Sequence, residues 1–205
     1  MAPSIPPDGT FFDTLKCSFA KVPIDKANDN AISTAEFLEA AEGLVTLFSL
    51  LESKPFEWVR DDLSGNIKKV RARLLAAPLE SETLQALVIN ELKSGSHTAS
   101  EGLLWLVRGL AFTAAALRHN LKYPSKELAE SFTDAYVGTL KKHHNFAVRT
   151  GFNWAIKFTP YRKDFYAKLG KDQAKVLEKM EAEVTALEKV VAILESFIED
   201  KAKKW

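Results

Sequence analysis

The chain has 205 residues, 46% of them hydrophobic and 27% charged, and its 28 basic and 27 acidic residues leave a formal net charge of +1. That is enough material for one domain with a real core. It lacks the basic excess of a nucleic-acid binder and the polybasic character of a protein held on anionic lipid by charge. A single cysteine, Cys17, excludes an intrachain disulfide and points to a reducing compartment.

The opening stretch MAPSIPPDGT holds three prolines and no apolar segment of the secretory kind. Residues 1–9 are therefore expected to be flexible and the protein to be cytoplasmic. Ala2 stands where a myristoylated chain needs glycine, and the ending DKAKKW is not a prenylation box. Apolar runs fall short of the roughly 20 residues of a membrane span.

From there every long segment reads with helical period, breakers fall between the segments, and no strand is expected. TFFDTLKCSFA places Phe12, Leu15 and Phe19 on one face, and VPIDKANDN is a loop. Ser33 and Glu36 form a capping-box pattern before EFLEAAEGLVTLFSLLE, which Pro55 terminates. A second long helix covers about residues 56–76 and stops before Pro78, and a shorter one covers about 81–93. TASEGLLWLVRGLAFTAAALRHN is the most apolar segment and the expected central helix. After the turn KYPSK, residues 126–159 stay helix-like, with Gly138 and Gly151 as bends or close-packing points. YRKDFYAKL is a short helix closed by Gly170. A last helix runs from about Asp172 to Lys203. About eight helices with short links and no tandem repeat predict an all-α domain.

The last helix carries Leu177, Met180, Val184, Leu187, Val191, Leu194 and Ile198 at alternating spacings of three and four. Such a stripe serves a coiled-coil partner or a globular core. Val190, Ile193 and Phe197 widen it beyond a seam and favour the core. Enzyme signatures are missing: there is no nucleophile elbow, P-loop, dinucleotide fingerprint or zincin motif. Of the four histidines, 97, 119, 143 and 144, the adjacent pair would diverge by about 100° on a helix and makes a poor metal site. Cys17 reads as a small core residue. The chain is therefore expected to be neither an enzyme nor a metal or cofactor protein.

One helix departs from ordinary amphipathic design. In DDLSGNIKKVRARLL, residues 61–75, Asp62, Asn66 and Lys69 stack on one face. With Asp62 at zero, Asn66 lies near about 40° and Lys69 near about 340°, while the apolar set Val59, Leu63, Ile67, Val70 and Leu74 clusters near about 100°. The polar trio thus flanks the core. It offers a carboxylate, an amide and an ammonium at the core's edge, and Gly65 leaves space beside it. An Asp–Lys helical pair with a bystander Asn is the plain alternative, worth only about 0.3–0.5 kcal/mol. Trp105, in LLWLVRGL, reads either as a core aromatic or as an apolar platform for a sugar ring.

Taken together, DDLSGNIKKV at 61–70, LLWLVRGL at 103–110, LKKHHNF at 140–146 and PYRKDFYAKL at 160–169 resemble the glycolipid transfer protein family. The likeness spans nearly the whole chain and is nearest to the fungal members, among them the heterokaryon-incompatibility one. It implies a single domain over residues 1–205, folded as a two-layer all-helical sandwich that holds one lipid. By that resemblance Asp62 would accept from a sugar hydroxyl and the ceramide amide N–H, and Asn66 and Lys69 would bond to the first sugar. Trp105 would stack beneath that sugar, and His144 would donate to the ceramide carbonyl. Val59, Leu140 and Phe152 match positions of the ceramide pocket. One branch of the superfamily carries phosphorylated ceramide, with basic residues where this chain has Asn66 and Trp105, so a neutral sugar head is implied here. The implied partners are glucosyl-, galactosyl- or lactosylceramide and a transient membrane surface, with the protein monomeric and peripheral on membranes. Animal members carry a tryptophan two residues after the histidine. Phe146 stands there in this chain and is the expected membrane contact, flanked by Lys142 and Arg149. A glycolipid sensor, or a helical interaction protein pairing through the 177–198 stripe, is the alternative.

Overall fold

The computed structural model describes residues 5–202. Residues 1–4 of the opening stretch and the end of the last expected helix at Lys203 lie outside the described residues. Among the described residues the architecture is a two-layer helical sandwich of eight α-helices: α1 (Thr34–Val45), α2 (Lys54–Ala76), α3 (Leu84–Lys93), α4 (Thr98–Lys122), α5 (Leu128–Gly138), α6 (Phe146–Ile156), α7 (Arg162–Leu169) and α8 (Gln173–Ala202). The apolar α4 is the hub, packed by α2, α3, α5 and α8. It is long and apolar enough to cross a membrane, which the sequence reading did not anticipate, yet 72% of its most apolar window is buried inside the protein. The buried α3 residue Glu91 fastens its start. One carboxylate oxygen accepts from the Ala99 amide at 2.9 Å, and the other accepts from the Ser100 amide at 2.7 Å and its hydroxyl at 2.6 Å. These are orphan donors at the positive end of the helix dipole.

Two glycines let α2 reach α4. A Cβ at Gly109 would stand 2.4 Å from Leu63 Cδ2, and one at Gly102 would stand 3.0 Å from Lys69 Cβ and 3.3 Å from the Asn66 carbonyl oxygen. Seven residues apart, they put two close approaches on one face of α4. Gly138 and Gly151, the expected close-packing points, would each meet nothing within 4 Å. Gly138 instead ends α5, where Thr139 leaves helical geometry at φ −121° and ψ −81°. Residues 140–143 then make a single 3₁₀ turn, and the Asn145 side chain accepts from the Val148 amide at 3.0 Å to start α6. The stretch 126–159 is thus two helices and a turn, because a cap and a non-helical Thr139 outweigh its uniform periodicity.

Three other segments differ from expectation. TFFDTLKCSFA forms two 3₁₀ turns, Phe11–Thr14 and Phe19–Lys21, and not one helix. Phe11, Cys17 and Phe19 are all buried, which a strap across the core achieves and one helical face does not. Buried Glu183 of α8 holds that strap by accepting from the Ser18 hydroxyl and, at 2.9 Å, from the Phe19 amide. The VPIDKANDN loop closes a two-residue hairpin, Ile24–Asp25 against Ala31–Ile32, through Asp29 and Asn30 at φ 48° and 57°, where Asp and Asn cost least among residues with a side chain. The first long helix stops at Val45 and tightens into a 3₁₀ segment, Thr46–Leu51, with the Thr46 hydroxyl on the Gly43 carbonyl at 2.6 Å. At its start Ser33 donates to the Glu36 carboxylate and makes no side-chain bond to the helix backbone, so the capping box is incomplete. In residues 5–9, Ile5 packs on the core, and Lys175 Nζ donates to the Asp8 carbonyl at 2.7 Å.

The α8 stripe is spent within the chain. Met180, Val184, Leu187, Val191, Leu194 and Ile198 are buried, joined by Val176 and Val190, and only Leu177 is exposed. The reading of this stripe as a pairing surface is thereby corrected, because those side chains already form the core against α4.

Candidate functional site

The polar trio of α2 is a hydrogen-bonded row. Asn66 Nδ2 donates to Asp62 Oδ2 at 3.3 Å, and Lys69 Nζ donates to Asn66 Oδ1 at 3.2 Å. Asn66 is buried and links the two charges, so it is no bystander, and among the described residues Asp62 and Lys69 form no direct ion pair. The Lys69 stem lies over Gly102, so the close approach of α2 to α4 also seats the ammonium. Asp62 keeps access to solvent, but surrounding protein desolvates its carboxyl and pushes its pKa above the ordinary value, with Lys69 and His144 pulling the other way. At Gly65 a side chain would meet nothing within 4 Å, so the space beside the trio is open.

His144, within electrostatic reach of Asp62, joins a cluster of rings around half-buried Trp105 of α4. His144 lies nearly parallel to it, 6.1 Å between centroids and 22° between planes, and His143 meets it edge-on at 6.4 Å and 81°. Both histidines therefore converge on Trp105, whereas a helix would have splayed them. The 3₁₀ turn and the extended residue that follows it account for this. The Arg108 guanidinium sits over the Trp105 ring at 4.8 Å, a cation–π contact. Burial pushes the His144 imidazole below its ordinary pKa. Asp62 opposes that shift, while Arg149 and Arg108 reinforce it.

Behind His144 the rings continue into the core. Tyr136 of α5 stacks on Phe152 of α6 at 4.2 Å and 8°, and Phe152 meets Phe112 of α4 edge-on at 5.2 Å. Phe112 and Phe132 line an apolar cavity with Leu47, Leu51, Leu117 and Phe165. The cavity measures about 10 Å³, room for about one water, while a cleft of about 330 Å³ lies between α4, the 139–143 turn and α8, lined by Arg108, Ala111, Gly138, Lys142, His143 and Glu195. Of the three expected pocket residues, Phe152 stands one ring from this cavity, while Leu140 is buried in the 3₁₀ turn and Val59 packs on the core from α2. Phe146 is 85% exposed at the start of α6, and Trp154 and Phe158 are each half exposed and in contact at 4.5 Å. Lys142 is exposed, and Arg149 donates to the Lys141 carbonyl at 3.0 Å.

The structure thus brings Asp62, Asn66, Lys69, Trp105 and His144 to one place. Sequence reasoning missed Arg108, His143 and Tyr136 there. Arg108 was detectable, since it lies three residues after Trp105 on the same helical face. His143 and Tyr136 depend on the break between α5 and α6, which carries no periodic signal.

The molecule is thus a helical sandwich that carries a polar row, an aromatic platform and an apolar seam. The sequence profile of the family described as Glycolipid transfer protein (GLTP) matches residues 32–171, and the chain belongs to that family, whose members are lipid transfer proteins and not enzymes. A glycolipid transfer protein of Aureobasidium melanogenum is 53% identical over 202 residues, covering 98% of this chain and 99% of the relative. The crystal structure of HET-C2, a fungal glycolipid transfer protein, superposes with a TM-score of 0.92 at 56% identity, covering 96% of this chain and all of that one. The GLTP-fold structure of FAPP2, described as selecting simple glycosphingolipids, superposes at 0.86 with 30% identity, covering 96% and 98% of the two chains.

Proposed function

We propose that this protein binds one simple neutral glycosphingolipid, a glucosyl-, galactosyl- or lactosylceramide, and carries it between membranes without a covalent step. The observation that carries the reading is the Asp62–Asn66–Lys69 row together with Trp105 and His144. A glycosylceramide head offers hydroxyls that both donate and accept, an apolar C–H face, and one amide. The row supplies acceptors and donors for the hydroxyls, and the indole supplies an apolar platform. Asp62 and His144 bracket the amide, the carboxylate for its N–H and the imidazole for its carbonyl. Exposing two lipid chains to water costs about 0.8 kcal/mol per CH₂, so the seam beyond Phe152 must part to receive them. Phe146, with Lys142 and Arg149 close in sequence, is the membrane contact from which a lipid would be loaded. The cytoplasmic, peripheral location belongs to the same reading.

The test is transfer of fluorescent glucosyl-, galactosyl- and lactosylceramide between vesicles. Transfer by the native chain, with loss in folded Asp62→Val and Trp105→Ala, supports the reading. A folded native chain that moves none of the three overturns it.

A further inference from the structure

We infer that Tyr136 is a positioning residue that fixes the tautomer of His144 and presents its Nε2–H to the lipid. This rests on the reading of His144 as the donor to the ceramide carbonyl. The Tyr136 hydroxyl lies 3.1 Å from His144 Nδ1, a pairing that permits either direction of donation.

Burial decides which. Tyr136 is 1% exposed, and among the described residues Nδ1 is the sole hydrogen-bond partner of its hydroxyl. Were Nδ1–H the donor, the phenolic proton would be buried with no acceptor, a penalty native structures avoid. Tyr136 therefore donates, Nδ1 accepts, and the ring proton resides on Nε2. That nitrogen has no partner among the described residues, and its ring stands beside Trp105 and within electrostatic reach of Asp62.

The hydroxyl is itself held in place. The phenol stacks on Phe152 at 4.2 Å, and Phe152 lies 6.0 Å from His144. Residues from α5 and α6 thus aim an imidazole that belongs to the turn between them. In a metal-free site this is the arrangement by which a second group sets the donor face of a histidine.

The experiment is ¹⁵N NMR of the histidine side chains in the full chain, with glycosylceramide transfer, for the native protein, Tyr136→Phe, His144→Gln and the double variant. Tyr136→Phe keeps the stack on Phe152 and is expected to fold. The native His144 should show a proton on Nε2 and none on Nδ1 near neutral pH. In Tyr136→Phe its titration should move to higher pH, and transfer should fall about threefold to tenfold, as for loss of one neutral hydrogen bond. In the His144→Gln background, where the amide donor has no tautomer, Tyr136→Phe should change nothing further. A native Nδ1–H tautomer, an unaltered His144 titration in Tyr136→Phe, or an equal loss in the Gln background would each overturn the inference. The NMR measurement needs no lipid, so it is separable from failure of the transfer reading.

Discussion

His119 and His144 are each hydrogen-bonded to a hydroxyl, and they serve different ends. His119 of α4 has Nδ1 3.0 Å from the Ser131 hydroxyl and Nε2 3.2 Å from Asp134. The connectivity is that of a hydrolytic triad, but Ser131 is fully buried and also receives Asn120 Nδ2 at 2.9 Å. Asn120 in turn accepts from Arg162 Nε at 2.9 Å, so the network joins α4, α5 and α7 with both ring nitrogens of His119 engaged. Among the described residues His144 has only Nδ1 engaged, and the indole beside it is half open. The completed network is structural. In the other, Nε2 of His144 carries no hydrogen bond among the described residues and is, in the function proposed, the donor to the ceramide carbonyl.

Substitutions at the two sites should therefore separate activity from stability. The largest expected effect is Asp62→Val, which removes a charged hydrogen-bonding partner worth about 2–3 kcal/mol. Transfer by the folded protein should fall about 30- to 150-fold at about 1.4 kcal/mol per tenfold. Trp105→Ala should cost about tenfold, read in the same vesicle assay. Ser131→Ala should do the reverse: it strips partners from His119 and Asn120, destabilises by about 1–3 kcal/mol in a urea melt, and leaves transfer by the folded protein intact. Equal transfer losses at Ser131 and Asp62 would erase the distinction.

Acid sharpens the comparison further. His144 takes its proton in the folded state at lower pH than the free side chain, whose value is about 6.5, chiefly through burial. Facing it are Asp62 from α2, Arg108 from α4, Tyr136 from α5, Arg149 from α6 and neighbouring His143. The unfolded chain therefore binds this proton first. Stability from this group is present above about pH 6.5 and is lost as pH falls through the folded value. Protonation of Nδ1 also breaks the bond from Tyr136, so glycolipid binding by fluorescence titration should be flat above about pH 7 and weaken several-fold below the folded value. The smallest effect is at Gly65. With space on all sides, Gly65→Ala should stabilise α2 by about 0.5–1 kcal/mol while weakening binding if the sugar passes there.

Much of this was legible in the residues. Asp62, Asn66 and Lys69 fall on one face at the core's edge because helix geometry is local and regular, though their spacing alone also fits a plain helical ion pair. The α8 stripe and the apolar α4 were equally plain. The opening strap was not, because Phe11, Cys17 and Phe19 serve a buried surface to which α8 contributes, with Phe19 and Glu183 164 residues apart in the chain. Gly102 and Gly109 gave no local signal either, since what they admit, the Lys69 stem and Leu63, comes from another helix.

By itself the sequence determined what each helix carries: the identity, order and facing of the polar row, the indole and the apolar stripes, all set by short-range periodicity. Only the tertiary structure decided which of these meet. The break after Gly138 turned two adjacent histidines onto one tryptophan, and a tyrosine eight residues before His144 became the group that directs its proton. Such juxtapositions follow from packing and from the pairing of buried donors, and those are properties of the whole core.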